Sequence, residues 1–335
     1  MQWLRVLLFP FAIVYGFVVL LRNWAFDIGI VKRKKFSTPI LVIGNLNTGG
    51  TGKTPMVEWV LHHFSEQYKI AVVSRGYGRK TKGLREVTVQ SKPLDVGDEP
   101  LQIKQNFPHC AVWVCEKRSV AINQIQNQVD CVVLDDAFQH RWIIPSFSIL
   151  LTTFNAPFFR DFILPVGNLR EWRFGASRAQ AIVVTKSPYN LDNKSAVGFQ
   201  TRLKKYVNTV SFASIGYEAS LKNDTNYMTW EALQEKDITL VTGIANPKPL
   251  LEMLANKKIK YTHKNFADHH NFTNAEFKQL QACTCIITTQ KDYVRLKNNI
   301  PQDRLYYIQI KTVFVKGESK LLQEIEAVIK GNSNN

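Results

Sequence analysis

The stretch Pro39-Ile-Leu-Val-Ile-Gly-Asn-Leu-Asn-Thr-Gly-Gly-Thr-Gly-Lys-Thr-Pro55 decides how this chain folds. Its apolar start reads as a buried strand and its glycine-rich middle as a tight turn ending in Gly52, Lys53 and Thr54, and a helix-like segment follows. That order lets backbone N–H groups at a helix start surround phosphate oxygens. Asn47, Thr48, Gly49, Gly50, Thr51, Gly52, Lys53 and Thr54 are therefore predicted to bind nucleotide phosphates, with Lys53 on the outer ones and the Thr54 hydroxyl on Mg²⁺. A strict G-x-x-x-x-G-K-[ST] loop needs glycine at position 47, where this chain has Asn47. Asn is better able than most residues to enter φ > 0, so the turn is not excluded. The competing reading is an ordinary glycine turn with Lys53 in solvent, and the agreement of strand, turn, GKT and helix argues against it.

Outward from this loop, short apolar runs at 39–43, 70–73, 111–114, 131–134, 149–152 and 181–184 alternate with longer mixed segments such as 56–68 and 119–128. Runs rich in Val and Ile without polar alternation are how parallel strands buried on both faces look. The expected fold class is α/β: a P-loop NTPase-like, mostly parallel sheet flanked by helices. A polar stretch at 187–195 precedes further strand candidates at 210–215, 238–241, 285–288 and 305–310. The expected organisation is an N-terminal helix with a basic stretch (1–35), a core (36–190) and a smaller α/β unit (191–335).

Two aspartates follow the apolar run at 131–134. Carboxylates at the C-terminal end of a buried strand sit on the rim where parallel sheets place ligands. Asp135 or Asp136 can hold Mg²⁺ directly or through water, completing a pair with Thr54; alone, such an Asp is often a helix cap. His140 can orient a carboxylate, contact phosphate, or be structural. Arg75 and Arg79 follow a strand and can meet phosphate, or form a plain basic loop. Asp98 and Glu99 precede Pro100, which suits the first position of a helix, and capping explains one of these acids. Arg170 is a possible anion clamp, and Asp268-His269-His270 either an acid–histidine pair or a solvated loop.

The chain has 335 residues, 45% of them apolar, and a formal net charge of +16. Such a charge implies a large anionic partner: nucleic acid, an acidic membrane surface or a phosphorylated substrate. Residues 6–21 carry no charge, fall short of the roughly 20 residues of a comfortable span, and are interrupted by Pro10 and Gly16. Lys32, Arg33, Lys34 and Lys35 follow, and Trp3, Tyr15 and Trp24 suit headgroup depth. The favoured reading is a helix partly sunk in one leaflet; a spanning helix and a buried helix of a soluble domain are the alternatives. Cys110, Cys115, Cys131, Cys283 and Cys285 lack CxxC spacing and read as reduced thiols of a cytoplasmic domain.

The segments GNLNTGGTGKTP (44–55), SRGYGR (74–79), VGDEP (96–100), LDDAFQH (134–140), LPVGNLRE (164–171), VTKSP (184–188), TGIANPKP (242–249), DHHNF (268–272) and TTQKDYVRL (288–296) span nearly the whole chain. Together and in this order they resemble the tetraacyldisaccharide 4'-kinase family, the lipid A 4'-kinases of Gram-negative bacteria. The resemblance implies Mg²⁺-dependent transfer of the ATP γ-phosphoryl to the 4'-hydroxyl of a tetraacylated, 1-phosphorylated glucosamine disaccharide. It also implies attachment to the cytoplasmic face of the inner membrane. By match to the family motifs, Asp98 accepts the sugar hydroxyl proton and His269 supports or shares that role. Lys53 neutralises growing charge, Asp135 and Asp136 manage metal and loop geometry, and Arg75, Glu99, His140 and Arg170 are site contributors of open role. Ala137-Phe138 departs from a glycine found in many members, which bears on local backbone shape.

Two other classes fit less well. A P-loop GTPase or metallochaperone usually carries an N/T-K-x-D element, and Thr185-Lys186-Ser187-Pro188 lacks its Asp. A nucleic-acid-binding module would explain the charge, yet no zinc spacing, RNP-like aromatic motif or GXXG clamp supports it, so no nucleic-acid partner is expected.

Overall fold

The computed structural model describes residues 7–331 apart from 245 and 269. After helix α1 (Phe9–Asp27) the chain runs β1 (Ile40–Asn45), α2 (Lys53–Phe64), β2 (Ile70–Ser74), β3 (Arg85–Glu86), α3 (Pro93–Val96), α4 (Asp98–Asn106), β4 (Ala111–Val114), α5 (Arg118–Ile125), β5 (Cys131–Asp135), β6 (Phe147–Thr153), β7 (Ala181–Thr185), α6 (Asn193–Leu203) and β8 (Thr209–Tyr217). It continues through β9 (Ser220–Lys222), β10 (Tyr227–Thr229), α7 (Trp230–Leu233), β11 (Ile238–Thr242), α8 (Lys248–Asn256), β12 (Thr262–Asn265), α9 (Asn274–Gln281), β13 (Cys285–Thr289), α10 (Gln290–Leu296), β14 (Leu305–Ile308), β15 (Ile310–Lys316) and α11 (Glu318–Lys330).

Nine strands form one sheet in the order β15-β8-β7-β6-β1-β5-β2-β4-β3, parallel except for the edge strands β3 and β15. Its central strands are buried on both faces, as their unbroken Val and Ile runs require. Leu41 and Ile43 of β1 pack under α2 and α11, whereas Ile40 and Val42 face the core shared with α5 and α6. Six strands form a second sheet, β10-β9-β14-β13-β11-β12, whose four central and outer strands β14, β13, β11 and β12 are parallel.

Sheet membership changes between Tyr217 and Ser220, and again between Ile308 and Ile310. The expected division near residue 190 therefore does not coincide with the sheets: β8 pairs parallel with β7, and β15 returns to pair antiparallel with β8. The run expected at 305–310 is accordingly two elements, β14 in one sheet and the start of β15 in the other.

α1 lies against the first unit along one stripe, with Ala12, Gly16, Val19, Asn23 and Phe26 buried. Its opposite side exposes apolar side chains, including Phe9, Phe11, Ile13, Val14, Phe17 and Val18, while Arg22 and Asp27 make polar contacts with the body. Trp3 lies outside the described residues.

Candidate active site

The phosphate loop leaves β1 at Asn45 beside the C-terminal end of β5, where Ile43 and Asp135 are register partners. Its left-handed positions are Gly49 (φ 110°) and Gly52 (φ 86°), not Asn47. Asn47 is instead buried, and its side-chain amide donates to Asp161 Oδ2 at 2.8 Å. It thereby fastens the loop to the 161–169 segment, a task glycine could not perform. Asn168 O accepts from Thr48 N at 2.7 Å, and Thr51 O accepts from Thr185 Oγ1 at 2.8 Å. A Cβ added at Gly49, Gly50 or Gly52 would meet nothing within 4 Å, so the loop's face is open to phosphate oxygens. Lys53 and Thr54 begin α2 at its electropositive end.

Lys53 Nζ lies 3.6 Å from Asp136 Oδ1 and 3.4 Å from Asn45 Oδ1. Asp136 has φ 47°, and Arg170 Nη1 donates to its Oδ1 at 3.0 Å. Asp135 is buried at the end of β5; Ser74 Oγ donates to its Oδ2 at 3.4 Å, and its Oδ1 has no hydrogen-bond partner among the described residues. Burial, reinforced by Asp136 and by Glu99, pushes the Asp135 carboxyl up to about 7 against the pull of Lys53. Glu99 is thus within electrostatic reach of Asp135. His140 is held neutral: burial first, then Arg118, Arg22 and Arg75, lower it to about 4. Its Nε2 is buried without a hydrogen-bond partner among the described residues.

Asp98 is the first residue of α4, two positions earlier than the expected start at Pro100; Gly97, at φ 94°, makes the turn. The Asp98 carboxylate is 5% exposed and forms a two-pronged ion pair with Arg295 of α10, whose Nε donates to Oδ1 at 3.1 Å and whose Nη2 reaches Oδ2. Arg295 Nη1 also donates to His270 O at 3.0 Å. Lys291 lies 3.9 Å from Glu99 and 2.9 Å from Asp268, so the DHH segment and the VGDEP segment meet through α10. His269, the expected partner of Asp98, lies outside the described residues. His270 pairs with Glu276 at 3.0 Å and stacks on Phe266.

Lys53 of the phosphate loop, Asp136 and Arg170 are thus in contact, Asp135 precedes Asp136 on the same rim, and Glu99, next to Asp98 at the head of α4, acts on Asp135 electrostatically. Arg75 is exposed, within electrostatic reach of Arg118 and His140. Sequence reasoning missed Arg295, Arg118 and Asp161. No spacing rule ties Arg295 to an acid 197 positions earlier, and only its place in the TTQKDYVRL segment offered a hint. Among the described residues no three His, Cys, Asp or Glu side chains cluster as a metal set. That is compatible with Mg²⁺, which takes few protein ligands and retains waters and phosphate oxygens. The unpartnered Asp135 Oδ1 and the open loop fit a nucleotide with its cation.

A glycine-rich loop entering a helix through Lys53 and Thr54, with aspartates on the adjoining strand, defines a phosphotransferase of the P-loop class. The family model for LpxK, tetraacyldisaccharide-1-P 4'-kinase, matches residues 4–330. The chain belongs to this family, and is an ATP-binding kinase of lipid A biosynthesis. It is 39% identical to the tetraacyldisaccharide 4'-kinase of Flavobacterium johnsoniae, over 99% of each chain. It is 38% identical to that of Cytophaga hutchinsonii, over 98% of this chain and 97% of the relative. A crystal structure of LpxK from Aquifex aeolicus in complex with ATP superposes with a TM-score of 0.81 at 26% identity, covering 97% of this chain and 99% of the other.

Proposed function

We propose that the protein transfers the γ-phosphoryl group of ATP to the 4'-hydroxyl of tetraacyldisaccharide 1-phosphate at the cytoplasmic face of the bacterial inner membrane. The observation that carries this reading is the apposition of the phosphate loop, the Asp135–Asp136 rim and the Asp98 helix in a chain matched along almost its whole length by the kinase family.

In this reading Lys53 lies along the outer phosphates and neutralises charge growing on the transferred oxygens. Its present ion pair with Asp136 holds it at the mouth of the loop. Mg²⁺, when bound, would be held by Thr54 with Asp135 and Asp136, and would spread charge over the phosphate oxygens. Asp136 is already paired with Arg170, whereas Asp135 keeps an unpartnered oxygen, so Asp135 is the better poised of the two. Asp98 accepts the hydroxyl proton. The donor fork of Arg295 holds both oxygens of that carboxylate and fixes its direction toward the acceptor hydroxyl. A loose transition state asks mainly for such orientation, with proton transfer completing late. His269 supports Asp98 by match to the family motif. Arg75, Glu99, His140 and Arg170 line the same region, and the C-terminal unit completes the cleft through Lys291 and Arg295.

The helix α1 lies in the interface, since one stripe is docked on the body from Ala12 to Phe26 and the opposite side exposes Phe9, Phe11, Ile13, Val14, Phe17 and Val18. A helix covered along one side by its own domain is poorly placed to cross the bilayer.

Purified protein with Mg²⁺ and γ-labelled ATP should convert tetraacyldisaccharide 1-phosphate to the labelled bisphosphorylated lipid. Asp98→Ala should depress turnover far more than nucleotide affinity. Absence of labelled lipid from a folded, detergent-stabilised preparation would sink the assignment; unchanged turnover in Asp98→Ala would remove that residue's role.

A further inference from the structure

We propose that Glu58 is a positioning residue that holds the Asp98 helix in register with the phosphate-loop helix and with the C-terminal unit. The proposal deepens the reading of Asp98 as the acceptor-activating group and rests on it.

Glu58 lies one helical turn beyond Thr54 on α2 and is buried. Its Oε1 accepts from Gln102 Nε2 at 2.9 Å and from Asn106 Nδ2 at 2.8 Å. Asp98, Gln102 and Asn106 recur at four-residue spacing, so one stripe of α4 carries the proposed base and both anchors. Asn106 then forms a reciprocal amide pair with Gln290, Nδ2 to Oε1 at 3.1 Å and Gln290 Nε2 to Asn106 Oδ1 at 2.5 Å. Gln290 opens α10, the same helix whose Arg295 grips Asp98. The contacts close a circuit: α2 to α4 through Glu58, α4 to α10 through Asn106, and α10 back to the head of α4 through Arg295.

A buried carboxylate is a poor choice if packing alone were needed, because apolar residues of similar volume usually stabilise as well or better. What the carboxylate adds is a single oxygen that fixes two amides of α4 at once, and so sets its rotation and translation against α2. Lys222 of β9 and Tyr307 of β14 approach the carboxylate from the second sheet. His62 of α2 and Glu218 line, with Asn106 and Lys222, a neighbouring cavity of about 290 Å³. Burial dominates over Lys222 and raises the Glu58 carboxyl, consistent with a group built to receive hydrogen bonds rather than to face solvent.

The test compares Glu58→Ala with Glu58→Gln in the full-length chain, using Mg-ATP and tetraacyldisaccharide 1-phosphate. Displacing the base helix by a fraction of an ångström to an ångström should lower kcat of Glu58→Ala roughly 10- to 100-fold, with KM for ATP within about threefold of the parent. Glu58→Gln keeps an acceptor oxygen for both amides and should recover most of the lost turnover. Equal losses in the two variants, or a rise in KM for ATP with kcat unchanged, would overturn the proposal. Hydrogen exchange with ATP bound gives a readout that needs no lipid acceptor. Glu58→Ala should deprotect 98–106 and 290–296 while 53–64 stays protected, and unchanged exchange in 98–106 overturns the proposal on its own. A parent protein that fails to phosphorylate the lipid while the exchange pattern holds would instead overturn the kinase assignment. Should Glu58→Ala fail to fold, Gln290→Ala cuts only the link to α10, and the same deprotection of 98–106 and 290–296 is expected from it; its absence counts against the circuit.

Discussion

Glu58 also ties the stability of the molecule to pH, and the sign follows from its burial. Unfolded, the side chain releases its proton near 4.5; in the folded chain, with burial outweighing the hydrogen bonds from Gln102 and Asn106, it does so only at about 7. Between those values the folded state binds more protons than the unfolded one, so stability falls as pH rises through this window. The contribution is greatest below the unfolded value and is lost once pH passes about 7. A shift of that size corresponds to an upper bound of roughly 3 kcal/mol. Glu58→Gln removes the titration, so its denaturant midpoint relative to the parent should be higher at pH 8 than at pH 5. A difference independent of pH would mean that the carboxyl is not desolvated in solution. The sequence could not reveal this group, because Glu58 reads as an ordinary polar position of an amphipathic helix. Its burial depends on α4 and the second sheet. The same limit hides Arg295, whereas the placement of Lys53 and Thr54 at the head of α2 is legible because strand, turn and helix follow from one short segment. Asn47 does not take the φ > 0 position that its residue type allows. It is a side-chain tie to Asp161, and glycines at 49 and 52 supply the left-handed turns.

At the scale of elements, α1 docks on the segment that carries Arg170. Trp172 Nε1 donates to Gly16 O at 2.8 Å, and a Cβ built at Gly16 would stand 2.7 Å from the Trp172 ring. Beside Trp172, Glu171 accepts from Asn23 of α1, from Gln139 and from Arg178, and Tyr15 donates to the Arg170 carbonyl. Arg170 in turn grips Asp136. Gly16→Leu should therefore do two things: strain the docked helix by about 1–3 kcal/mol, the usual range for overpacking, and lower kinase turnover by shifting the 170–172 segment. Thermal unfolding with activity at a temperature well below the transition separates the two effects. Full activity in a Gly16→Leu protein that has lost the stability would show that α1 and Asp136 are uncoupled. Strands were legible where Val and Ile runs meet the demand of two-sided burial. β9, β10 and β12 escaped notice because they are short and polar or exposed, as in the Thr262–Asn265 strand. β15 is not legible because an antiparallel edge strand, half exposed, lacks the continuous apolar run, and its return means that the first sheet contains strands on both sides of residue 190.

For the molecule as a whole, charge and apolar surface act together. The chain carries a formal +16, and its basic cluster at Lys32–Lys35 directly follows an apolar helix in which Phe11 is 66% and Val14 is 64% exposed. Burying those side chains in a leaflet removes apolar area from water, at about 25 cal/mol per Å². Each nearby Lys or Arg adds on the order of 1 kcal/mol at an anionic surface, a contribution that salt screens. The two terms predict different signatures, and their separation decides between an interfacial helix and a merely basic protein. Sedimentation with vesicles should show stronger binding to phosphatidylglycerol-containing than to purely zwitterionic bilayers, and added salt should reduce but not abolish it. Phe11→Asp with Val14→Asp alters the exposed face alone and should abolish the salt-resistant part, while leaving the Trp172 and Asn23 contacts of the opposite stripe. If the double variant sediments as the parent does, the exposed face of α1 does not enter the bilayer, and the attraction of the basic surface is then sufficient to account for binding.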